Sequence, residues 1–169
     1  MDALLILRRS HAGATDWAAA AVSGFAAGAV LMVLDLVWSS IFNAHGPWRT
    51  SHMIAPLIIG TDVLRTTGYA FNVWVVSVAL AIHYALGVAF GLVMAAIMVR
   101  LHADATPGRA AAAGSFLGLV LYMINFEGLT LFFPWLVELR GGDTLTAHVV
   151  FGLVAALLYW RLKRTPGEA

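Results

Sequence analysis

Residues 71–99 read FNVWVVSVALAIHYALGVAFGLVMAAIMV and contain no Asp, Glu, Lys or Arg. A helix of about 20 apolar residues crosses the hydrocarbon core of a bilayer, so this stretch predicts a membrane-spanning helix. The stretch nevertheless contains His83, four residues before Gly87, and the same pair recurs as His148 and Gly152. Because an ionisable side chain is costly inside a membrane, the repeated histidine needs an explanation.

The composition of the whole chain places it in the membrane class. Hydrophobic residues make up 61% of the 169 residues and charged residues 11%, against about 45–50% and about 25% in soluble domains. Too few polar residues are present to cover a soluble globule, so we expect an all-α integral membrane protein. The chain has no cysteine, which excludes disulfides, thiolate metal sites and cysteine nucleophiles.

Four stretches are apolar and long enough, or nearly so, to cross a bilayer. They lie within a single membrane domain, residues 1–169, and comprise residues 17–42, 71–99, 110–137 and 144–160. Lys and Arg favour the cytoplasmic side of a membrane. Seven of the ten basic residues stand in the two tails and the middle loop: Arg8, Arg9, Arg100, Arg109, Arg161, Lys163 and Arg164. We therefore expect both termini in the cytoplasm.

Separate structural predictions follow for two segments that lie outside the spans. Arg8 and Arg9 follow a short apolar run, which is the wrong order for a secretory signal, so we interpret them as a cytoplasmic anchor. The long outer loop, residues 43–70, contains the run MIAPLIIG, which is too short to span. It is either an interfacial or re-entrant helix with Pro56 in its first turn, or a loop that packs as an apolar plug on the bundle.

Small and polar residues repeat between the two halves of the chain. Gly24, Gly28 and Asp35 are matched 90 residues later by Gly114, Gly118 and Asn125. His83 and Gly87 recur 65 residues later. These offsets predict two copies of one helical hairpin, related by an axis along the membrane normal. Small residues four apart lie on one helix face and let backbones approach closely. We therefore predict a tight four-helix bundle packed through Gly24, Gly28, Gly87, Gly91, Gly114, Gly118 and Gly152.

Five polar side chains fall at similar depth, in the half of the membrane nearer the outer face: Asp35, His83, Asn125, Glu127 and His148. The simplest interpretation is an inward structural layer that joins the two hairpins through Asp35–His148 and Asn125–His83 or similar pairs. Glu127 points roughly opposite to Asn125 on an ideal helix, which favours a boundary carboxylate that reaches outer water. Arg140 is a candidate partner of either Glu127 or Asp143 at the surface. On this interpretation the chain is a non-enzymatic structural or accessory subunit.

Two alternatives remain open for the same layer. Asp35, His83, Glu127 and His148 form a candidate proton relay, although glycine, alanine and aliphatic residues fill the inner half. His83 and His148 are also candidate ligands of a haem or metal, with Asp35 and Glu127 as further metal candidates. His45 and His52 in the outer loop are additional candidates, but no tight ligand motif identifies a cofactor.

Motifs of soluble enzymes are absent from the sequence, which contains no GxSxG and no Gly-rich phosphate loop. We therefore expect no enzymatic activity. No basic stretch carries interleaved aromatic residues, so a nucleic-acid partner is not expected. The expected partners are the lipid bilayer and, as an open possibility, further copies of the chain or a larger membrane complex.

Three stretches resemble a known family: IHYALGVAFGLVMAAIMVRL (residues 82–101), AAAAGSFLGLVLYMINFEGLTLFFPW (110–135) and AHVVFGLVAALLYWRLKR (147–164). They are similar to helices of the YagU-like bacterial inner-membrane proteins. The resemblance implies a small four-helix protein of the bacterial inner membrane, with a membrane histidine in the second and fourth helices. It implies no activity, and it does not extend to the outer loop.

Overall fold

The computed structural model describes residues 14–65 and 68–164, and these residues form helices and turns without a strand. The all-α prediction is confirmed. The α-helices of the described residues are α1 (Trp17–Phe42), α2 (Arg49–Ile54), α3 (Pro56–Ile59), α4 (Val73–Arg100), α5 (Pro107–Met123) and α6 (Gly142–Leu162). Short 3₁₀ helices occupy Thr61–Arg65, Ala103–Ala105, Leu129–Leu131 and Pro134–Leu139, and Ile124–Gly128 is a π-helical turn. The proposed anchor Arg8–Arg9 lies outside the described residues.

Side-chain caps explain where three of the long helices begin. The carboxylate of Asp16 accepts a hydrogen bond from the backbone N–H of Ala19. Asn72 and Thr106 accept equivalent bonds at the starts of α4 and α5. Pro107 follows Thr106 as the first residue of α5, where its fixed φ suits a helix and its missing N–H is not needed.

The third predicted span, residues 110–137, has different bounds in the structure. Its helix begins earlier, at Pro107, and continues through the π turn only to Leu131. Pro134 then starts a separate 3₁₀ helix, and the preceding Phe133 has left the helical region with φ −128° and ψ 75°. The ring of a proline disfavours helical backbone in the residue before it, which is why the span ends short of 137.

The four long helices run alternately up and down and pack as two close pairs. α1 packs against α4, α5 packs against α6, and α1 also packs along α6. By contrast, α4 has little contact with α5 and α6. Small and apolar side chains, among them Ala20, Ala27, Ala95, Met98 and Ala156, fill the core of one half of the bundle. The weak contact of α4 leaves space in the other half.

The outer loop folds back onto the bundle. Met53, Ala55 and Pro56 are buried, and Ala55 packs with Val75 and Ala79 of α4. Pro56 is the first residue of α3. The run MIAPLIIG thus combines short helices, as in the first interpretation, with packing onto the bundle, as in the second. We call the end of the bundle that holds α2 and α3 the loop end.

The opposite end, which we call the basic end, contains Arg100, Arg109, Arg161, Lys163 and Arg164. Asp16 joins the start of α1 to the end of α6, because its carboxylate lies 3.1 Å from Nε of Arg164. Lys163 pairs with Asp104 in the turn after α4. These two ion pairs tie three chain segments together at the basic end.

The outward faces of the helices are strongly apolar. In the part of the chain that the structure describes, four helices are long and apolar enough to cross a membrane, and only 28–33% of the residues in their apolar windows are buried within the chain. Large side chains such as Phe25, Val33 and Phe116 are at least half exposed. Surfaces of this kind are stable against lipid rather than water, as expected of a small multi-pass membrane protein.

Candidate functional site

The space beside α4 is a cavity of about 790 Å³ in the loop half of the bundle. Its walls come from all four long helices, with α2 and the 3₁₀ helix Pro134–Leu139 at the loop end. Most of the lining is apolar, including Leu31, Leu80, Phe90, Leu121 and Phe151. The volume lies within the roughly 300–1,000 Å³ that small-molecule sites occupy.

Polar side chains of the predicted layer converge on this cavity. Asp35, His83, Asn125 and His148 all line it, together with Thr50 and Asp143. Asp35 is close enough to His83 and Asp143 to interact with both electrostatically, and His83 interacts in the same way with His148. Four of the five predicted polar residues therefore share one site.

His148 has both ring nitrogens occupied. Its Nδ1 donates to the carbonyl oxygen of Thr144, 2.8 Å away, one turn earlier on α6. Its Nε2 lies 3.2 Å from Nδ2 of Asn125 and accepts a hydrogen bond from that amide. Because a carbonyl oxygen can only accept, Nδ1 carries the proton and the imidazole is neutral. The edges of Tyr122 and Phe126 pack against the same ring.

His83 is held differently, although it has the same spacing to its glycine. Its Nε2 donates to the carbonyl oxygen of Gly28 on α1, at 2.8 Å. The ring lies against Gly28, where a Cβ would be in ordinary van der Waals contact with Nε2 at 3.6 Å. Nδ1 of His83 makes no hydrogen bond to the described part of the chain, so it remains a free acceptor on a residue that lines the cavity.

These bonds correct the pairs expected between the hairpins. The sequence favoured Asp35–His148 and Asn125–His83, but Asn125 bonds His148 and His83 bonds Gly28. Each bond joins neighbouring helices of one close pair, α1–α4 or α5–α6. Within residues 14–65 and 68–164, the layer therefore strengthens each pair rather than joining one pair to the other.

Asp35 projects from α1 toward the folded-back loop. The hydroxyl of Thr50 on α2 donates to its carboxylate at 3.3 Å. Sequence reasoning missed both Thr50 and Asp143 as site residues. Thr50 was missed because the periodicity of a helix does not show which loop residue folds back against it. Asp143 was missed because α6 begins at Gly142, two residues before the predicted start of the fourth span at 144.

Glu127 does not belong to the cavity. Its carboxylate lies 3.0 Å from the guanidinium of Arg140, and its side chain is 48% exposed. Of the two candidate partners of Arg140, the structure shows Glu127. The same guanidinium donates to the carbonyl oxygen of Phe126 at 2.6 Å and to the Thr130 hydroxyl at 2.9 Å. The Phe126 carbonyl oxygen thus accepts hydrogen bonds from both Arg140 and the Thr130 hydroxyl.

The candidate metal ligands are not brought together. In the described ranges 14–65 and 68–164, no three His, Asp or Glu side chains converge as a metal-binding group. Glu127 is outside the cavity, and both nitrogens of His148 are engaged. His45 and His52 instead pack edge-on against Tyr69 in the outer loop, with ring centroids 5.7 and 5.6 Å away. These positions do not fit the metal interpretation.

The predicted packing glycines lie where the paired helices touch. A Cβ added to Gly24 would overlap the carbonyl oxygen of Gly87, and one added to Gly91 would lie 2.6 Å from Cα of Gly24. Across α5–α6, a Cβ on Gly114 would overlap the carbonyl of Gly152, and one on Gly118 would overlap that of His148. The close approach in each pair puts the histidines within reach of the facing helix.

No family model, curated protein or solved structure matches the chain, so the resemblance to the YagU-like proteins stays a prediction.

Proposed function

We propose that this chain is a non-enzymatic membrane protein that binds a single-chain amphiphile in the cavity of its loop half. The observation that carries the proposal is the cavity itself, about 790 Å³ in volume, with an apolar lining and a compact polar layer. An apolar pocket with a few polar groups that orient a ligand is the usual form of a small-molecule site. An alkyl chain suits the walls formed by Leu31, Leu80 and Phe90.

A binding role fits the geometry better than conduction does. The core of the basic half is filled by side chains such as Ala20, Ala95, Met98 and Ala156, each 1% exposed or less. A proton or ion path would need polar groups through that half as well. The cavity is therefore best understood as a pocket with one closed end.

The polar layer has a structural role that is compatible with binding. The His83–Gly28 and Asn125–His148 bonds hold the two helices of each pair together at the level of the cavity. Interhelical hydrogen bonds in membranes contribute about 0.6 kcal/mol on average. An accessory subunit that presents a bound amphiphile to a partner, or to further copies of the chain, is consistent with this arrangement.

The proposal includes a location and a topology. We place the protein in a bacterial inner membrane with the basic end in the cytoplasm, supported by the cluster of Lys and Arg there and by the resemblance to the YagU-like proteins. We also propose that the α1–α4 and α5–α6 hairpins are repeats. The chain contains no cysteine, so a single introduced cysteine can be labelled to test the topology. Arg109→Cys tests the side on which the basic end lies, and Ala44→Cys tests the side on which the loop end lies. Membrane-impermeant maleimide on intact cells should label only the Ala44→Cys variant.

Native mass spectrometry from a neutral maltoside micelle tests the binding role. The probes are three molecules with the same twelve-carbon chain: dodecylamine, 1-dodecanol and dodecanoic acid. The protein should bind at least one of them saturably, one molecule per chain. Ala147 lines the cavity, so Ala147→Trp should abolish that binding by filling the space. Ala112 is exposed on α5, and Ala112→Trp is the matched control that should retain it.

Absence of saturable binding for all three probes would contradict the proposed function, as would equal binding by the Ala147→Trp variant.

A further inference from the structure

Three groups of the polar layer have free hydrogen-bond acceptors: Asp35, Asp143 and Nδ1 of His83. The donors of its histidines are used within the protein, since Nδ1 of His148 bonds Thr144 and Nε2 of His83 bonds Gly28. The Thr50 hydroxyl is directed to Asp35. The free capacity that remains on Asp35, Asp143 and Nδ1 of His83 consists of acceptors alone. A ligand head that bonds these three groups must supply donors.

The charged side chains of the cavity lining also favour a cationic ligand. Among residues 14–65 and 68–164, Asp35 and Asp143 are the two carboxylates that line the cavity, and no Lys or Arg does so. The arginines of the loop end are already paired: Arg49 with Glu138 at 3.2 Å, Arg140 with Glu127 at 3.0 Å and Arg65 with Asp62 at 3.9 Å. In the described parts of the chain, neither Asp35 nor Asp143 forms an ion pair with a Lys or Arg. A carboxylate within the membrane is costly unless an opposite charge compensates it.

We propose that the head group of the bound amphiphile is a protonated amine. This inference rests on the proposed binding function and specifies its ligand class. The ammonium lies among Asp35, Asp143 and Nδ1 of His83, where it donates N–H bonds to acceptors and balances the carboxylate charge, while the alkyl chain occupies the apolar walls. A bare metal ion does not fit, because no three ligands converge in the described ranges.

The three twelve-carbon probes separate the head-group inference from the binding function. At pH 7 dodecylamine is cationic, 1-dodecanol is neutral and dodecanoic acid is anionic, while their chains are the same. In native mass spectrometry of the wild-type chain, we expect dodecylamine to bind roughly tenfold or more tightly than 1-dodecanol, and dodecanoic acid to bind most weakly. The signal of the Ala147→Trp variant is subtracted as non-specific association.

The matched variants assign the preference to one carboxylate. Asp35→Asn keeps the shape of the side chain and an oxygen for Thr50, so it should weaken dodecylamine binding roughly tenfold and change 1-dodecanol binding by less than about twofold. Asp62→Asn is the control, because the Asp62 side chain is 94% exposed and lies outside the cavity. It should leave the binding of all probes unchanged.

The outcomes distinguish the two proposals. If at least one probe binds saturably but the amine is not preferred, the head-group inference is overturned while the binding function stands. If the Asp35→Asn variant retains the full amine preference, the assignment to Asp35 is overturned. If none of the probes binds, the proposed function itself fails. The wild-type ranking requires no substitution, so it decides the inference even if the Asp35→Asn variant does not fold.

Discussion

Nε2 of His148 lies 3.2 Å from Nδ2 of Asn125, so these two residues form a hydrogen bond across the α5–α6 pair. His83 stands in the equivalent position before its glycine, yet it bonds the backbone of Gly28 instead of a side chain. One histidine therefore has a side-chain partner and no free nitrogen, whereas the other keeps a free acceptor at the cavity. The two residues that look alike in the sequence have different roles.

A double-mutant cycle between Asn125 and His148 tests this bond. Replacing each by Ala, singly and together, should give a coupling energy of about 0.6 kcal/mol, with about 1.7 kcal/mol as the upper end known for such bonds. The same cycle between Asn125 and His83 should give no coupling, because they do not bond. Free energies of unfolding in mixed micelles provide the measurement. A larger coupling for Asn125–His83 would contradict the observed arrangement.

Gly24→Ala should destabilise the α1–α4 pair. The new Cβ would overlap the carbonyl oxygen of Gly87, which belongs to the backbone and cannot rotate away. Overpacking of this kind costs about 1–3 kcal/mol, more than the roughly 0.5–1 kcal/mol that Ala gains over Gly in a helix. Gly108→Ala is the control, since nothing lies within 4 Å of its Cβ position. Thermal unfolding in detergent should show a loss for the first variant and no loss for the second.

Arg140→Gln should loosen the end of the third span. The guanidinium bonds the Phe126 carbonyl, the Thr130 hydroxyl and the Glu127 carboxylate. Charge-assisted bonds contribute about 1.5–3 kcal/mol, and partial exposure reduces this to about 1 kcal/mol here. Hydrogen exchange of residues 126–131 should become faster. Arg65→Gln, which removes an 83% exposed side chain, should not affect it.

The ion pair at the basic end should make stability depend on acidic pH. The Arg164 guanidinium bonds Asp16 and, with the N–H of Ala19, lowers the pKa of that carboxyl from 3.8 to about 2. A lowered folded-state pKa stabilises the protein above about pH 4, and this contribution is lost as the pH falls toward 2. Asp16→Asn retains a capping residue but loses the charge, so it should lower the Tm by about 1–4 °C at pH 6.

At pH 2 the difference in Tm between the wild-type protein and the Asp16→Asn variant should be much smaller. Asp62→Asn, which removes the carboxylate of an exposed ion pair, is the control. Its Tm should differ little from that of the wild-type protein at either pH. A Tm difference for Asp16→Asn that stays constant between pH 6 and pH 2 would exclude the charge of Asp16 as its cause.

Much of the fold is readable in the sequence. A helix that crosses a bilayer requires a long apolar stretch, and four such stretches are visible in the sequence. The bounds predicted for three of them are close to those of α1, α4 and α6. The glycines at four-residue spacing were identified because close helix contact in lipid favours small side chains. The third span was placed too far toward the loop end, because Pro134 ends the helical backbone at Phe133 and the apolar stretch continues beyond it.

The site was only partly readable. Asp35, His83, Asn125 and His148 were identified because polar residues stand out within apolar spans. Their partners were assigned wrongly, and Thr50 and Asp143 were not identified. The glycine spacing identifies a contact face on each long helix, but the sequence alone does not show which helix that face meets.

The sequence by itself thus determined the membrane class, the number of spans and the small residues available for contact, since these depend on composition along one chain. Only the tertiary structure decided which helices pair, where α2 and α3 fold back and which histidine nitrogen stays free. Those features depend on distances between residues far apart in the chain. The cavity likewise exists because α4 packs closely on α1 but has little contact with α5 and α6.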